Sequence, residues 1–281
     1  PLSFTLSVIS CRFTARGQAN CKDETDTTMT GLTDFLEISA AERLAYRHTP
    51  GKSPGVLFCP GFNSNMQGEK ALALEDWCTS QERQYTRFDY SGHGESSGKF
   101  EEGTIGRWRD DTVAVLDRVT SGPQVIVGSS MGGWIMLLAA LLRPERVSAL
   151  VGIAAAPDFT ESLRDHGLDS AQRQQLQASG YCDLPNCYDD GEPYRISRRL
   201  LEEGRDHLLL PGEIAIDIPV RLIHGQQDED VPWERALVLA DRLRSEDVEV
   251  QLVKSGEHRL SQPADLARLN RSLGALLAEL D

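Results

Sequence analysis

The chain reads as an α/β protein: a mostly parallel central sheet, helices on both faces, and a helical insertion forming a cap. Three observations predict this. Apolar β-type runs at 55–60, 85–90, 124–128, 147–156 and 219–224 alternate with helical patterns, and such alternation implies parallel pairing with crossover helices. Several runs are apolar at every residue rather than every second one, as strands covered on both faces must be. The alternation stops at Pro157 and resumes near Pro219, with a polar stretch between.

In order, residues 35–38 and 44–48 alternate and are separated by a turn, predicting an antiparallel entry hairpin. Gly55-Val56-Leu57-Phe58-Cys59-Pro60 is the first buried strand, followed by a helix over 69–79 with Ala71, Leu74, Trp77 and Cys78 at helical spacing. The strand Tyr85–Tyr90 runs into a tight Ser91-Gly92-His93-Gly94 turn. Thr104 can cap a helix whose apolar stripe is Ile105, Trp108, Val115, Leu116 and Val119. The strand ending at Gly128 leads directly into a helix from Met131 that is apolar nearly all round, which implies burial. Within 157–212, Ala171 to Ala178 and Tyr194 to Glu203 read as helices, the second ended by Gly204. Beyond it come a strand at 219–224, a helix at 233–244, a strand at 248–253 and a closing amphipathic helix at 264–280. The core is thus expected to span 29–156 and 213–281, with 157–212 as the cap. Residues 1–28 match no part of this pattern. Up to Asn20 they lack acids and are rich in Ser and Thr, and they are expected to be a disordered leader, tag or upstream sequence.

Composition narrows the function. A net charge of −14 argues against nucleic acid or an anionic membrane as partner. The longest apolar run, Trp134 to Leu142, falls far short of the ~20 residues a bilayer span needs. The cysteines at 11, 21, 59, 78, 182 and 187 show no paired C-x-x-C pattern. Cys59 and Cys78 are expected to pack as small hydrophobes, and Cys182 and Cys187 to be free thiols in a reducing compartment. That places the protein in the cytoplasm, or in the mitochondrial matrix if residues 1–28 derive from a transit peptide.

Between the apolar strand and the apolar helix sits Gly128-Ser129-Ser130-Met131-Gly132, a Gly-x-Ser-x-Gly turn. So abrupt a change from strand to helix holds the central side chain in a strained, exposed position, and its neighbours must be small. The helix that follows aims N–H groups at the same point. A serine hydroxyl needs a base, and the base needs an orienting carboxylate. Loops after the C-terminal ends of parallel strands share one edge of the sheet. Among six histidines, His258 follows the last strand and is the best-placed base, with His93 its competitor. The acid is expected from the triplet Asp228, Glu229 and Asp230 behind the 219–224 strand. With Asp228 the chain order is Ser130, Asp228, His258. The oxyanion hole is expected from the backbone N–H groups of Met131 and Phe62, the latter in the turn Pro60-Gly61-Phe62-Asn63. Arg195, Arg198 and Arg199 form a basic cluster that reads either as a solvated face or as a clamp for a carboxylate-bearing leaving group. The spacing at 128–133 is not that of a dinucleotide site, no metal constellation is visible, and no cofactor is expected.

From about Phe35 onward the chain resembles the α/β-hydrolase-fold serine hydrolases. Lys52-Ser53-Pro54-Gly55-Val56, Pro60-Gly61-Phe62, Arg87-Phe88-Asp89-Tyr90-Ser91-Gly92, Gly128-Ser129-Ser130-Met131-Gly132-Gly133-Trp134, His224-Gly225-Gln226-Gln227-Asp228, Val231-Pro232-Trp233 and Glu257-His258-Arg259 narrow it further. They are similar to the family of the mitochondrial abhydrolase-domain-containing protein ten and its bacterial relatives. The resemblance implies hydrolysis of acyl thioesters and acyl esters, acyl glucuronides included, with Ser130 as nucleophile, Asp228 as acid and His258 as base. The expected partner is a small-molecule acyl ester or thioester. A carbon–carbon bond hydrolase on the same three residues, or a non-enzymatic scaffold on the same fold, are the competing readings.

Overall fold

In the computed structural model, the residues described are 33–184 and 193–281. The expected leader and Cys187 lie outside them. β1 (Asp34–Glu37) and β2 (Arg43–Thr49) form the entry hairpin, antiparallel with Phe35 opposite Ala45. There follow β3 (Lys52–Cys59), α1 (Glu69–Ser80), β4 (Arg83–Phe88) and α2 (Ile105–Arg118). α2 starts where Thr104 accepts a hydrogen bond from Arg107 N, satisfying one of the N–H groups that a helix start leaves unpaired. β5 (Gln124–Ser129), α3 (Met131–Leu142) and β6 (Val147–Ile153) complete the first half.

With β9 (Val220–Gly225) and β10 (Val248–Val253) from the second half, the strand order is β1-β2-β4-β3-β5-β6-β9-β10. Every pair from β4 to β10 is parallel, and β1 and β2 join antiparallel at one edge. From β3 the chain steps to β4 on one side and then returns to β5 on the other. At such a switch point the two connections leave a crevice beyond the strand C-termini, where α/β sheets bind ligands.

Alternation along β3 shows why the sheet is covered twice. Val56 and Phe58 pack with α1 residues Ala71 and Leu74 and with Leu269 and Leu273 near the C-terminus. Leu57 and Cys59 pack with Trp108 of α2 and Ile135 of α3 on the other face. Each buried strand therefore needs apolar residues at consecutive positions.

Between β6 and β9 lie α4 (Phe159–Ser162), α5 (Ser170–Ser179), β7 (Tyr181–Leu184), β8 (Tyr194–Ser197) and α6 (Arg198–Glu203). α5 opens on a capping box, Asp169 accepting from Gln172 N while the Gln172 side chain accepts from Asp169 N. The helix expected over 194–203 is corrected: its first four residues are a strand. Cys182 and Ile196 stand opposite each other in the β7–β8 pair, both buried. Ser197 then caps α6 by accepting from Leu200 N at 3.0 Å. A cross-strand partner outweighs local helical spacing. The segment is tied to the rest by Asp158, which accepts from Leu209 N and Leu210 N at 2.9 Å each. Glu203 accepts from Gly106 N, and Trp134 Nε1 donates to His207 O.

β9 (Val220–Gly225), α7 (Glu234–Arg242), β10 (Val248–Val253) and α8 (Pro263–Leu280) finish the chain. Cys59, Cys78 and Cys182 are buried free thiols. Burial pushes the thiols of Cys59 and Cys78 up to about 12, so neither is a nucleophile at neutral pH.

Candidate active site

β5 is buried along its whole length and delivers Ser130 to the crevice with φ 53° and ψ −118°. Positive φ is costly for a residue with a Cβ and persists only where the surroundings enforce it. They do so here. Ser130 N donates to Ile153 O at 2.9 Å, and Ser130 O accepts from Gly133 N and Ala156 N at 2.9 and 3.0 Å. A Cβ on Gly128 would meet the backbone of Gly132, and one on Gly132 would meet the carbonyls of Cys59 and Pro60. The two glycines let strand, helix and the neighbouring turn approach closely enough to hold the serine out.

His258, in the loop after β10, places Nε2 at 3.0 Å from Ser130 Oγ and Nδ1 at 2.8 Å from Asp228 Oδ2. Because a carboxylate only accepts, Nδ1 carries the hydrogen and Nε2 is left to accept from the serine hydroxyl. Asp228, in the loop after β9, has no exposed side-chain surface. Its Oδ1 accepts from Asp230 N at 3.0 Å and Val231 N at 2.8 Å. Its Oδ2 is shared with a second imidazole, His224 Nε2 at 3.1 Å. Burial alone would push the Asp228 carboxyl up. Hydrogen bonds from His224 and His258, the His258 charge and Val231 N–H overcome it and hold the group well below the usual carboxylate range. Asp228 is ionised at any pH where the imidazole can act as a base.

These groups open on a cavity of about 610 Å³, into which Phe62, Met131, Phe159, Leu163, Leu184 and Ile196 bring apolar surface. Met131 is the first residue of α3, so its N–H is one that the helix leaves unpaired. The turn after β3 runs alongside: a Cβ on Gly61 would lie 3.5 Å from the Cβ of Ser130. Phe62 is anchored there edge-on to Phe100, Phe159 and Trp108, at ring separations of 4.8, 5.7 and 5.9 Å.

The sequence matches a family profile described as alpha/beta hydrolase fold over residues 54–180. It is 44% identical over 246 residues to the mouse protein named palmitoyl-protein thioesterase ABHD10, mitochondrial, covering 88% of this chain and 82% of that one. The solved structure of the mouse alpha/beta hydrolase domain-containing protein 10 superposes with a TM-score of 0.82 at 43% identity, covering 89% of this chain and all of that one. A putative hydrolase from Agrobacterium vitis gives the same TM-score at 37% identity, covering 87% of this chain and 98% of that one. The chain belongs to the α/β hydrolases, in the family of ABHD10.

This α/β hydrolase is an enzyme, and it brings together Ser130, Asp228 and His258 from three loops far apart in the chain. Phe62 and Met131 stand on the same cavity. The arginine cluster does not reach it. Arg195, on β8, points away from the side that buries Ile196 and pairs with Asp183 at 2.9 Å, and Arg198 lies 3.8 Å from Glu202. Arg198 and Arg199 are exposed while Leu200 and Leu201 turn inward, so the amphipathic pattern that buries the leucines sends the arginines to solvent. His93, the competing base, is enclosed by Tyr90, Phe100 and Trp108 with Nδ1 3.3 Å from Ser91 O. Burial pulls it down to about 4. Asp230 brings a carboxylate oxygen within 4.8 Å of the Asp228 and His258 ligand atoms, but those two are hydrogen-bonded to one another.

Sequence reasoning missed two residues. Lys70 lines the cavity from α1 and donates to Arg259 O at 2.5 Å, buttressing the loop that carries His258. Burial, with the Arg259 charge, pulls its ammonium down to about 8. His224 stands in β9, four residues before Asp228. Neither carried a local signal: an i, i+4 spacing across a strand end has no recognisable pattern, and Lys70 gains its role from Arg259, 189 positions away.

Proposed function

We propose that this α/β hydrolase cleaves carboxylic esters or thioesters through an acyl-enzyme on Ser130. The observation that carries the reading is the row of Asp228 Oδ2, His258 Nδ1, His258 Nε2 and Ser130 Oγ, with its 2.8 and 3.0 Å separations. Ser130 Oγ attacks the acyl carbonyl as His258 Nε2 takes its proton, and Asp228 holds the imidazole and stabilises its charged form. The N–H groups of Met131 and Phe62 stabilise the oxyanion. His258 returns the proton to the leaving thiol or alcohol, and a water activated by His258 then releases the acid from Ser130.

The described residues of 157–212 serve as the cap and those of 29–156 and 213–281 as the core. Phe159, Leu163, Leu184 and Ile196 all come from the inserted segment and supply apolar surface on which an acyl chain can lie. The name of the mouse relative includes palmitoyl-protein thioesterase, which favours acyl thioesters of long chains. The same name includes mitochondrial, which supports the mitochondrial alternative. The cytoplasmic expectation has no support among these relatives.

A serine-directed fluorophosphonate tests the assignment. Label is expected on the parent and absent from Ser130→Ala. Equal labelling of both proteins overturns it.

A further inference from the structure

His224 has 1% of its side chain exposed. Its Nε2 lies 3.1 Å from Asp228 Oδ2 and 3.0 Å from Val231 O. Both neighbours only accept, so Nε2 carries a hydrogen. Nδ1 is buried and has no hydrogen-bond partner among the described residues. The geometry therefore fixes Nε2–H as the donor of this imidazole.

Asp228 consequently has four donors: two backbone N–H groups on Oδ1 and two imidazoles on Oδ2. The Oδ2 atom that orients His258 is the one His224 holds. We propose that His224 is a positioning residue: its Nε2–H pins Asp228 Oδ2 where it meets His258 Nδ1 and takes up part of that oxygen's accepting capacity. The inference rests on the reading of Ser130, His258 and Asp228 given above. Val231 O fixes the donor in turn, so the backbone of the β9–α7 loop sets the position of the whole row.

Removing the donor has a signed consequence. A carboxylate that has lost one donor holds the neighbouring imidazolium more strongly, so the acid limb of kcat/KM moves to higher pH. Other charged groups also face His258. Asp230 lies in the Asp228 loop, Glu257 and Arg259 flank it in sequence, and Glu69 and Lys70 on α1 and Arg235 on α7 line the cavity, as does His166. None of them changes when His224 is replaced.

The test compares His224→Gln, whose amide can donate from the same place, with His224→Met, which fills similar space and cannot. kcat and KM for a p-nitrophenyl ester are measured from about pH 5 to 9. The Met variant is expected to lose about 10- to 100-fold in kcat with KM little changed, by analogy with the loss when an outer group that orients a metal ligand is removed. Its acid limb moves up by about half a pH unit or more, and the Gln variant recovers most of both. Equal rates and unshifted profiles in Gln and Met variants overturn the proposal. Nitrogen-15 spectra of the unmodified enzyme decide it independently of how either variant folds. His224 Nε2 should carry a proton, and a tautomer protonated on Nδ1 alone overturns the proposal. Ser130→Ala separates the two readings. If that variant keeps full activity, the nucleophile assignment fails; if it is inactive while Gln and Met behave alike, only the role of His224 fails.

Discussion

Two buried carboxylates in this protein stand near histidines, and their charges are set in opposite directions. Asp111, on α2, accepts from Ser91 N at 2.8 Å and Ser91 Oγ at 3.0 Å, and the same serine's carbonyl faces His93. Burial pushes the Asp111 carboxyl up to about 6, outweighing the two serine bonds and the Arg107 charge. Asp228 is also opposed by burial, yet it is held low because two imidazoles donate to it directly and the His258 charge adds to their effect. The difference lies in the donors. A hydroxyl and an amide do not compensate a desolvated carboxylate, whereas an imidazole that becomes cationic in the reaction does. One site joins a turn to a helix, and the other prepares a base.

The comparison breaks most visibly if Asp228 is made neutral. Asp228→Asn keeps the shape but reverses the donor at Oδ2, forcing His258 toward the tautomer that cannot accept from Ser130. kcat should fall by about 10⁴-fold, measured by ester turnover under saturating substrate, and a loss below tenfold would remove Asp228 from the mechanism. A smaller effect sharpens the contrast in stability. Asp111 titrates near 6 in the folded protein and near 3.9 unfolded. The folded state therefore binds the proton more tightly, and the contribution of this group to stability is lost as pH rises from about 4 through about 6. Asp111→Asn should flatten the fall in Tm across that window in a calorimetric pH series. Asp228 acts with the opposite sign: its contribution is present above about pH 4 and lost as pH falls. The smallest effect is expected at His93. Its Nε2 is buried without a partner among the described residues, so His93→Phe should change kcat/KM by less than about twofold, equivalent to under ~0.5 kcal/mol of barrier. A thousandfold loss would restore His93 as a candidate base.

Much of the sheet was legible because its strands are buried on both faces and so are written as continuous apolar runs. That pattern needs no knowledge of partners, and it placed Ser130 and Asp228 each behind a strand end; β10, ahead of His258, is legible instead from its alternation, since one of its faces is exposed. Boundaries moved by a few residues where caps decide them. The inserted segment was harder to read. Tyr194 to Ser197 became a strand because Tyr181 to Leu184 pairs with it, across residues that local spacing does not connect. Arg195, Arg198 and Arg199 could be read either as a clamp or as a solvated face, and the solvated face holds because the strand and the helix that carry them turn Ile196, Leu200 and Leu201 inward. His224 was passed over for the converse reason. Inside an apolar strand it reads as a packed residue, and its meaning comes from a carboxylate four positions later in a loop that folds back on it.

By itself, the sequence determined the layered architecture and the serine turn, because each is encoded by residues adjacent in the chain: apolar runs, and glycines where no Cβ fits. Only the tertiary structure decided which histidines meet which carboxylate. Hydrogen bonds reach about 3 Å, and whether residues 30 or 128 positions apart come that close depends on sheet order and loop return, which no local pattern records.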